Sequence, residues 1–217
     1  ALAASKLKIR LAHIEAGMRS YDKEMPEEIN RIVTDHVSDI LFCSTAAAVE
    51  NLRSEGISKN VFKAGDVMID AIKENISLAE GKSTILERLK LKSKNYIVAT
   101  VHRAGNTDSR ENLNGIIEAF AKSKEKIIFP AHPRTEKCIR HYGLDKKLKN
   151  KNIIVTQPVG YLDMLVLEKN ARKILTDSGG MQKEAYFFKV PCITLRDSTE
   201  WVETVKDGWN ALAGAST

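Results

Sequence analysis

A chain of 217 residues, 43% of them apolar, is long enough for one large or two small globular domains with a real core. Its net charge of +6 comes mostly from lysine, while aromatics are 6% and do not interleave with the basic runs, so the balance fits an anionic small substrate and not a nucleic-acid face. No apolar run approaches the ~20 residues of a membrane span, and nothing reads as a signal peptide. Three cysteines (Cys43, Cys138 and Cys192) without C-x-x-C spacing argue against a disulfide frame or a zinc site. A reducing, cytoplasmic setting is the expectation.

The chain opens on Ala-Leu-Ala-Ala-Ser-Lys, which has no Met and reads as the end of a helix, so a fragment of a longer protein is expected. Short apolar runs then alternate with helical periodicity. Strands are expected at 9–13, 40–43, 61–64, 96–101, 126–130, 153–156, 172–176, 192–195 and 209–213. Helices are expected at 27–37, 46–55, 67–78, 83–89, 111–123, 134–142, 161–169, 181–188 and 200–206. Pro26 suits the first position of its helix, with Glu27 and Glu28 in the first turn where the helix dipole favours carboxylates. Gly56 and Gly143 sit where helices should end. The lysine run 146–151 reads as a solvated loop.

This alternation implies an α/β protein with parallel sheets and helices on both faces. The polar, lysine-rich stretch after the third strand reads as a boundary. The expected organisation is a partial N-terminal Rossmann-like domain at 1–72, a helical linker at 73–94 and a C-terminal Rossmann-like domain at 95–217. The first part has too few strands to complete a sheet.

The strongest chemical signal is Lys173-Ile-Leu-Thr-Asp-Ser-Gly-Gly-Met-Gln-Lys-Glu184. It reads as a buried strand, a tight turn at 177–180 and a helix from Met181. Glycines let a ligand approach the backbone, and the helix start favours phosphate. Glu184, one turn in, could reach a ribose hydroxyl. The plainer reading is an ordinary strand-to-helix turn. The pattern is neither G-x-G-x-x-G nor G-x-x-x-x-G-K-[ST], so neither a nicotinamide cofactor nor an ATPase is suggested.

Other strand ends repeat the theme. His13-Ile-Glu15 can handle protons or can fix a loop through hydrogen bonds. His102-Arg103 can contact a diphosphate, or Arg103 can pair with a carboxylate. His132, Gln157 to Tyr161, and Arg196 to Glu200 follow further strands. Ligand-competent residues at successive strand ends suggest one cleft. His36 and His141 read as surface or packing residues. No metal-ligand spacing and no nucleophile elbow are visible.

Taken in order, His13-Ile-Glu-Ala-Gly-Met-Arg19, Pro26-Glu-Glu-Ile-Asn-Arg31, Gly65-Asp-Val-Met-Ile-Asp70, Thr100-Val-His-Arg103, Thr176 to Glu184 and Leu195-Arg-Asp-Ser-Thr-Glu200 resemble the non-hydrolysing UDP-N-acetylglucosamine 2-epimerases. The ending, with Gly208-Trp-Asn210, resembles an archaeal or related bacterial branch. The resemblance implies two Rossmann-like domains of the glycosyltransferase-B type, the N-terminal one incomplete, with the site in the cleft between them. It implies reversible conversion of UDP-N-acetylglucosamine to UDP-N-acetylmannosamine through anti elimination of UDP, 2-acetamidoglucal and re-addition, without NAD or another cofactor.

By the same resemblance Glu15 and Glu27 handle protons, and His102 contacts the diphosphate. Ser178, Gly179 and Gly180 contact phosphate, Glu184 holds the ribose, and Arg196 lies near the substrate. Arg103 and His132 match positions where some bacterial members hold an allosteric UDP-N-acetylglucosamine. Gly105 stands where the family often has Glu. Relatives are typically homodimers in glycan-precursor synthesis, and residues 47–52 are an interface candidate. A further family carboxylate lies before residue 1, so the chain as given is expected to bind weakly and not to turn over. A hydrolysing epimerase, a glycosyltransferase of the same fold and a non-catalytic binding module are the rival readings.

Overall fold

The computed structural model describes residues 1–215, so the last two residues of the 95–217 span lie outside the described residues. The chain divides into two compact units. Residues 1–70 and 198–203 form unit 1, and residues 71–197 with Thr204 onward form unit 2.

Unit 1 holds a parallel sheet of β1 (Ala12–Ala16), β2 (Ile40–Cys43) and β3 (Val61–Lys63), in that order. The first strand begins later than the apolar run at 9–13 suggests. The chain start is a short helix, α1 (Leu2–Lys6). Helix α2 (Pro26–Val37) carries Pro at its first turn, where a missing N–H costs nothing. Helix α3 (Ala46–Ser54) is capped by Thr45, whose side chain accepts the Ala48 N–H. It ends at Gly56, whose φ of +81° lets the Ile57 N–H turn back to the Leu52 carbonyl at 2.8 Å. Ala48 and Leu52, in the 47–52 stretch read as an interface candidate, are buried in the core of this unit with Ala16, Leu41, Cys43 and Trp201. Their alternation with polar residues reflects that core contact.

A buried charge network organises the loop after β1. Arg19 is 2% exposed and Asp35 is 1% exposed. The Arg19 guanidinium donates to Asp35 at 2.7 Å and to Glu55 at 2.7 and 2.8 Å. Asp35 also meets His13 Nδ1 at 2.6 Å and accepts the Gly17 N–H at 3.1 Å. Burial works against both charges, and the mutual hydrogen bonds outweigh it, raising the Arg19 pKa and lowering that of Asp35. Of the two readings of His13, loop fixation is the one this contact supports. Gly17 has φ +76°, and a Cβ there would drive into the Ala48 carbonyl.

Unit 2 is a six-stranded parallel sheet of β4 (Ile97–Thr100), β5 (Ile127–Pro130), β6 (Ile153–Thr156), β7 (Lys173–Thr176), β8 (Cys192–Thr194) and β9 (Asn210–Leu212). The order is β6-β5-β4-β7-β8-β9. Both faces are covered. Val98, Ile128 and Ile174 pack into one core; Ile97, Ala99, Ile127 and Phe129 pack into the other. Consecutive apolar residues are what two covered faces require.

Segment 73–94, read as a linker, lies in unit 2. It is the body of α4 (Val67–Lys82) and α5 (Ile85–Arg88), with Ile72, Ala79 and Ile85 in the first core. Helices α6 (Ala104–Thr107), α7 (Arg110–Lys122), α8 (Pro133–His141), α9 (Tyr161–Asn170), α10 (Gly179–Phe187) and α11 (Val202–Lys206) complete the alternation. Periodicity misses α6 because it is four residues long and contains Gly105. The lysine run is partly a 3-10 turn, Asp145–Leu148; Lys146, Lys149 and Lys151 are exposed, and the half-buried Lys147 pairs with Glu118 and Asn114 on α7. Cys43 and Cys192 are buried, as their apolar context suggests, and burial pushes their thiols up to about 11 and about 12.

Breaking the unit 1 network should be costly, because removing one partner strands a buried charge. Asp35→Ala is expected to lower stability by about 3–5 kcal/mol. Replacing Arg19 and Asp35 together with apolar residues should recover much of that loss. Urea midpoints of the three proteins check both statements.

Candidate functional site

In unit 2 the strand order reverses between β4 and β7. Chain connection runs from β4 outward to β5 and β6, then returns to β7 and runs the other way. Such a switch point leaves a crevice beyond the carboxyl ends of the two central strands, the usual ligand position in open parallel sheets. His102 follows β4, and Asp177-Ser178-Gly179-Gly180 follows β7. Arg196 follows β8 and His132 follows β5, so the site residues read from unit 2 share one edge of the sheet.

Asp177 ties that edge together. Its side chain is fully buried. It accepts the backbone N–H of His102 at 3.0 and 3.1 Å, that of Arg103 at 2.9 Å and the Asn106 side-chain amide at 3.0 Å. Asn106 also donates to the Leu195 carbonyl at 2.9 Å, which links the loop after β4 to the end of β8. His102 Nδ1 lies 3.6 Å from Asp177 Oδ1. The Thr100 and Thr176 hydroxyls meet at 2.7 Å, and Thr176 Oγ1 accepts the Ser178 N–H at 3.0 Å. The loop carrying His102 is therefore held by a carboxylate on the neighbouring strand. Gly105 lies inside α6, the turn this clamp anchors, and its carbonyl accepts from Asn112 at 2.9 Å.

Helix α10 starts at Gly179, two residues earlier than the expected Met181. Gly179 and Gly180 are its first helical residues, and Ser178 is its cap, with Oγ 3.5 Å from the Met181 N–H. The first N–H groups thus face the crevice beyond β7, where an anion is favoured. Gln182 is bound to Asn210 on β9 at 3.0 Å, a packing role. His132 caps α8 by accepting the Arg134 N–H on Nδ1 at 3.2 Å, and its ring centre lies 6.2 Å from that of His102.

Glu184 is 6% exposed and lies against Glu168 of α9, which is 0% exposed. Burial first, then the charge of Glu184, pushes the Glu168 carboxyl well above the usual range. Burial also raises Glu184, while the hydrogen bond from Glu168 and the Lys183 charge oppose the rise. Two carboxyls at one buried place disfavour double ionisation, and the rise is the greater at Glu168.

In unit 1, Glu15 occupies a bulge. The β1–β2 register slips between Ile14 and Ala16, and Glu15 has φ +68°. A left-handed backbone at a non-glycine residue costs about 1–3 kcal/mol and concentrates at functional sites. Bulges re-aim side chains in the same places. The Pro26-Glu27-Glu28 motif divides by helical position. Glu28 is fully buried and accepts from the N–H groups of Ser20 and Tyr21, from Ser20 Oγ and from Arg31. Glu27 is exposed. Arg31 also donates to Glu200 at 3.0 Å.

Asp177, Asn106 and Glu168 are buried polar residues of this region that sequence reasoning passed over. Asp177 stood inside the strongest motif but was read only as turn. Glu168 sits in an otherwise apolar helical stretch, and a lone acid among Leu165, Val166 and Leu167 was the available signal.

Two outcomes follow. Asp177→Ala leaves buried donors unpaired and should cost about 3 kcal/mol or more, read as a shifted denaturation midpoint. Glu168 keeps its proton when folded but loses it near the ordinary value when unfolded. Its stabilisation is therefore full at acid pH and falls as pH rises toward the folded value. Between about pH 5 and about pH 8 the stability of Glu168→Gln should decline less than that of the parent chain.

Comparison with known proteins identifies the family. The family profile described as UDP-N-acetylglucosamine 2-epimerase matches residues 1–217. A UDP-N-acetylglucosamine 2-epimerase homolog of Methanococcus maripaludis is 59% identical over all of this chain, which covers 61% of that protein. A UDP-2,3-diacetamido-2,3-dideoxy-D-glucuronate 2-epimerase of Pseudomonas aeruginosa is 47% identical over all of this chain, which covers 60% of it. The crystal structure of the Methanocaldococcus jannaschii UDP-GlcNAc 2-epimerase, solved with UDP-GlcNAc and UDP, superposes with a TM-score of 0.92 at 49% identity, over 99% of this chain and 61% of that one. The chain thus spans about three fifths of the length of these relatives. Its α/β fold with parallel sheets is of the glycosyltransferase-B type, and the chain belongs to the UDP-N-acetylglucosamine 2-epimerase family.

Proposed function

We propose that this chain carries the nucleotide site and two proton-handling carboxylates of an epimerase that inverts C2 of a UDP-linked 2-acetamido sugar, UDP-N-acetylglucosamine first. The observation that carries the reading is the edge of unit 2. There the start of α10 at Gly179, the buried Glu184 and the Asp177-clamped His102 loop surround one switch point. The α10 start and His102 suit a diphosphate, and Glu184 suits the ribose hydroxyls. Arg196 extends the same edge, with Arg103 and His132 as the candidates for a second, allosteric nucleotide sugar.

The chemistry is elimination and re-addition. A carboxylate removes the C2 proton, the C–H electron pair becomes the C1–C2 double bond, and the C1–O bond to UDP breaks with the pair leaving on the diphosphate. His102 and the α10 start stabilise that charge. A second carboxylic acid returns a proton to the opposite face of C2, and the diphosphate adds back to C1. Glu15, held in a strained bulge, and Glu27, exposed while Glu28 is spent on the 20–21 loop, are the two carboxylates. No cofactor enters this route. The reading includes two Rossmann-like domains, a homodimer and a cytoplasmic setting, as the family resemblance implies.

A specific second substrate is supported by the Pseudomonas relative at 47% identity: UDP-2,3-diacetamido-2,3-dideoxy-D-glucuronate. Incubation of each sugar nucleotide with a chain carrying the complete family fold in deuterated water, followed by proton NMR, separates the readings. Epimerisation incorporates deuterium at C2 and yields the C2-inverted UDP-sugar. A hydrolysing enzyme yields free sugar and UDP, and a glycosyltransferase without acceptor yields neither.

In a chain carrying the complete family fold, Glu15→Gln should abolish C2 exchange. His102→Ala should slow turnover by roughly a hundredfold or more, the loss expected for one charge-stabilising donor, with little change in melting temperature. Exchange at the normal rate in Glu15→Gln removes Glu15 from the mechanism.

A further inference from the structure

Helix α9 contributes to the apolar core of unit 2 through Leu165, Val166 and Leu167, and Glu168 follows them in the same buried stretch. Its side chain is fully enclosed, and among the described residues neither of its oxygens accepts from an N–H or a hydroxyl. The ionisable group whose charge acts on it is Glu184, on α10, a helix packed against α9. An enclosed acid in such surroundings is costly as an anion and stable as a neutral donor only where an acceptor waits. Glu184 is that acceptor. A hydrocarbon at 168 would fill the same space without this cost, so the acid does something that packing does not need.

We infer that Glu168 is a positioning residue for nucleotide recognition: as a neutral acid on α9 it donates its O–H to Glu184 on α10 and holds that carboxylate ionised, with its remaining lone pairs turned to the ribose hydroxyls. The inference rests on the reading of Glu184 as the ribose-binding residue and deepens it. A carboxylate has room for several donors. One is supplied from inside the protein, which fixes the rotamer, and the others remain for ligand. Charge-assisted bonds of this kind are about twice as strong as neutral ones.

The ionisable groups whose charge reaches the pair are Tyr161 on α9, Lys183 on α10 and Cys192 on β8. Lys183 favours the ionised form of Glu184. Tyr161 and Cys192 stay neutral, their pKa values raised first by burial. The other charged groups of α9 are engaged elsewhere: Asp163 with Ser83 and Arg88, and Lys169 with Glu80. The pair thus has a single exchangeable proton, and nucleotide affinity is coupled to it. When Glu168 ionises at alkaline pH, Glu184 loses its donor and gains a neighbouring charge, and the grip on ribose weakens.

The test is calorimetric titration with UDP and with 2′-deoxy-UDP of the parent chain and of Glu168→Met, Glu168→Gln and Glu184→Ala. Glu168→Met, which keeps volume and removes the donor, should bind UDP about tenfold more weakly or worse. Glu168→Gln, whose amide still donates, should restore parental affinity. The deficit of Glu168→Met should shrink with 2′-deoxy-UDP, which a general packing defect would not produce. From about pH 6 to about pH 9 the parent should lose UDP affinity and Glu168→Gln should not. UDP binding that requires Glu184 and is unchanged in Glu168→Met overturns the inference alone. Absence of UDP binding to the parent, or binding that Glu184→Ala leaves unchanged, overturns the ribose reading and the role of Glu168 with it.

Discussion

A single buried carboxylate, Asp177, sets the geometry on which the unit 2 site depends. It takes two consecutive backbone N–H groups from the loop after β4 and a side-chain amide from α6, while standing at the end of β7. Neighbouring parallel strands deliver their carboxyl ends side by side, but nothing in a sheet ladder holds the loops beyond those ends. A charged acceptor crossing from one strand to the next does so at the cost of desolvation, which several short hydrogen bonds offset. His102 and the start of α10 are consequently held on a rigid base. Catalysis by placed charge needs that rigidity, since donors that must reorganise lose their advantage.

Unit 1 reaches a comparable end by other means. The Arg19, Asp35, Glu55 and His13 network pins the chain after β1, and Gly17 lets that chain pass close to α3. With both flanks held, the strand can sustain a bulge and a left-handed Glu15. Strain at a candidate proton-handling residue persists only when the surroundings over-determine it, and these surroundings do.

Buried acids serve three different ends here. Asp35 and Asp177 are organisers surrounded by donors. Glu28 is spent on backbone N–H groups of the 20–21 loop. Among the described residues Glu168 has no such donors, and the charge that acts on it is that of another carboxyl, Glu184. Environment, not residue type, assigns these roles, and a mechanism for the family fold in this chain has to keep them apart.

Local patterning carried the elements far. Short apolar stretches at 40–43, 96–101 and 126–130, the Pro26 helix start and the glycine stop at Gly56 are consequences of nearest-neighbour sterics and of burial period, which neighbouring residues encode. The ordered motifs also revealed the family, because the strand-end residues lie in sequence where the fold needs them. What a sequence of single residues could not reveal was which of two adjacent carboxylates turns inward, as Glu28 does and Glu27 does not, or that Glu168 and Glu184, on different helices, are both buried and act on each other's ionisation. It could not assign Asp177 its partners 74 and 75 residues away. Those facts depend on contacts made through space after the sheet closes. The sequence by itself determined most of the elements, their α/β alternation and the family. The tertiary structure decided which charges are buried and paired, because desolvation and hydrogen bonding act only once distant strands and helices have met.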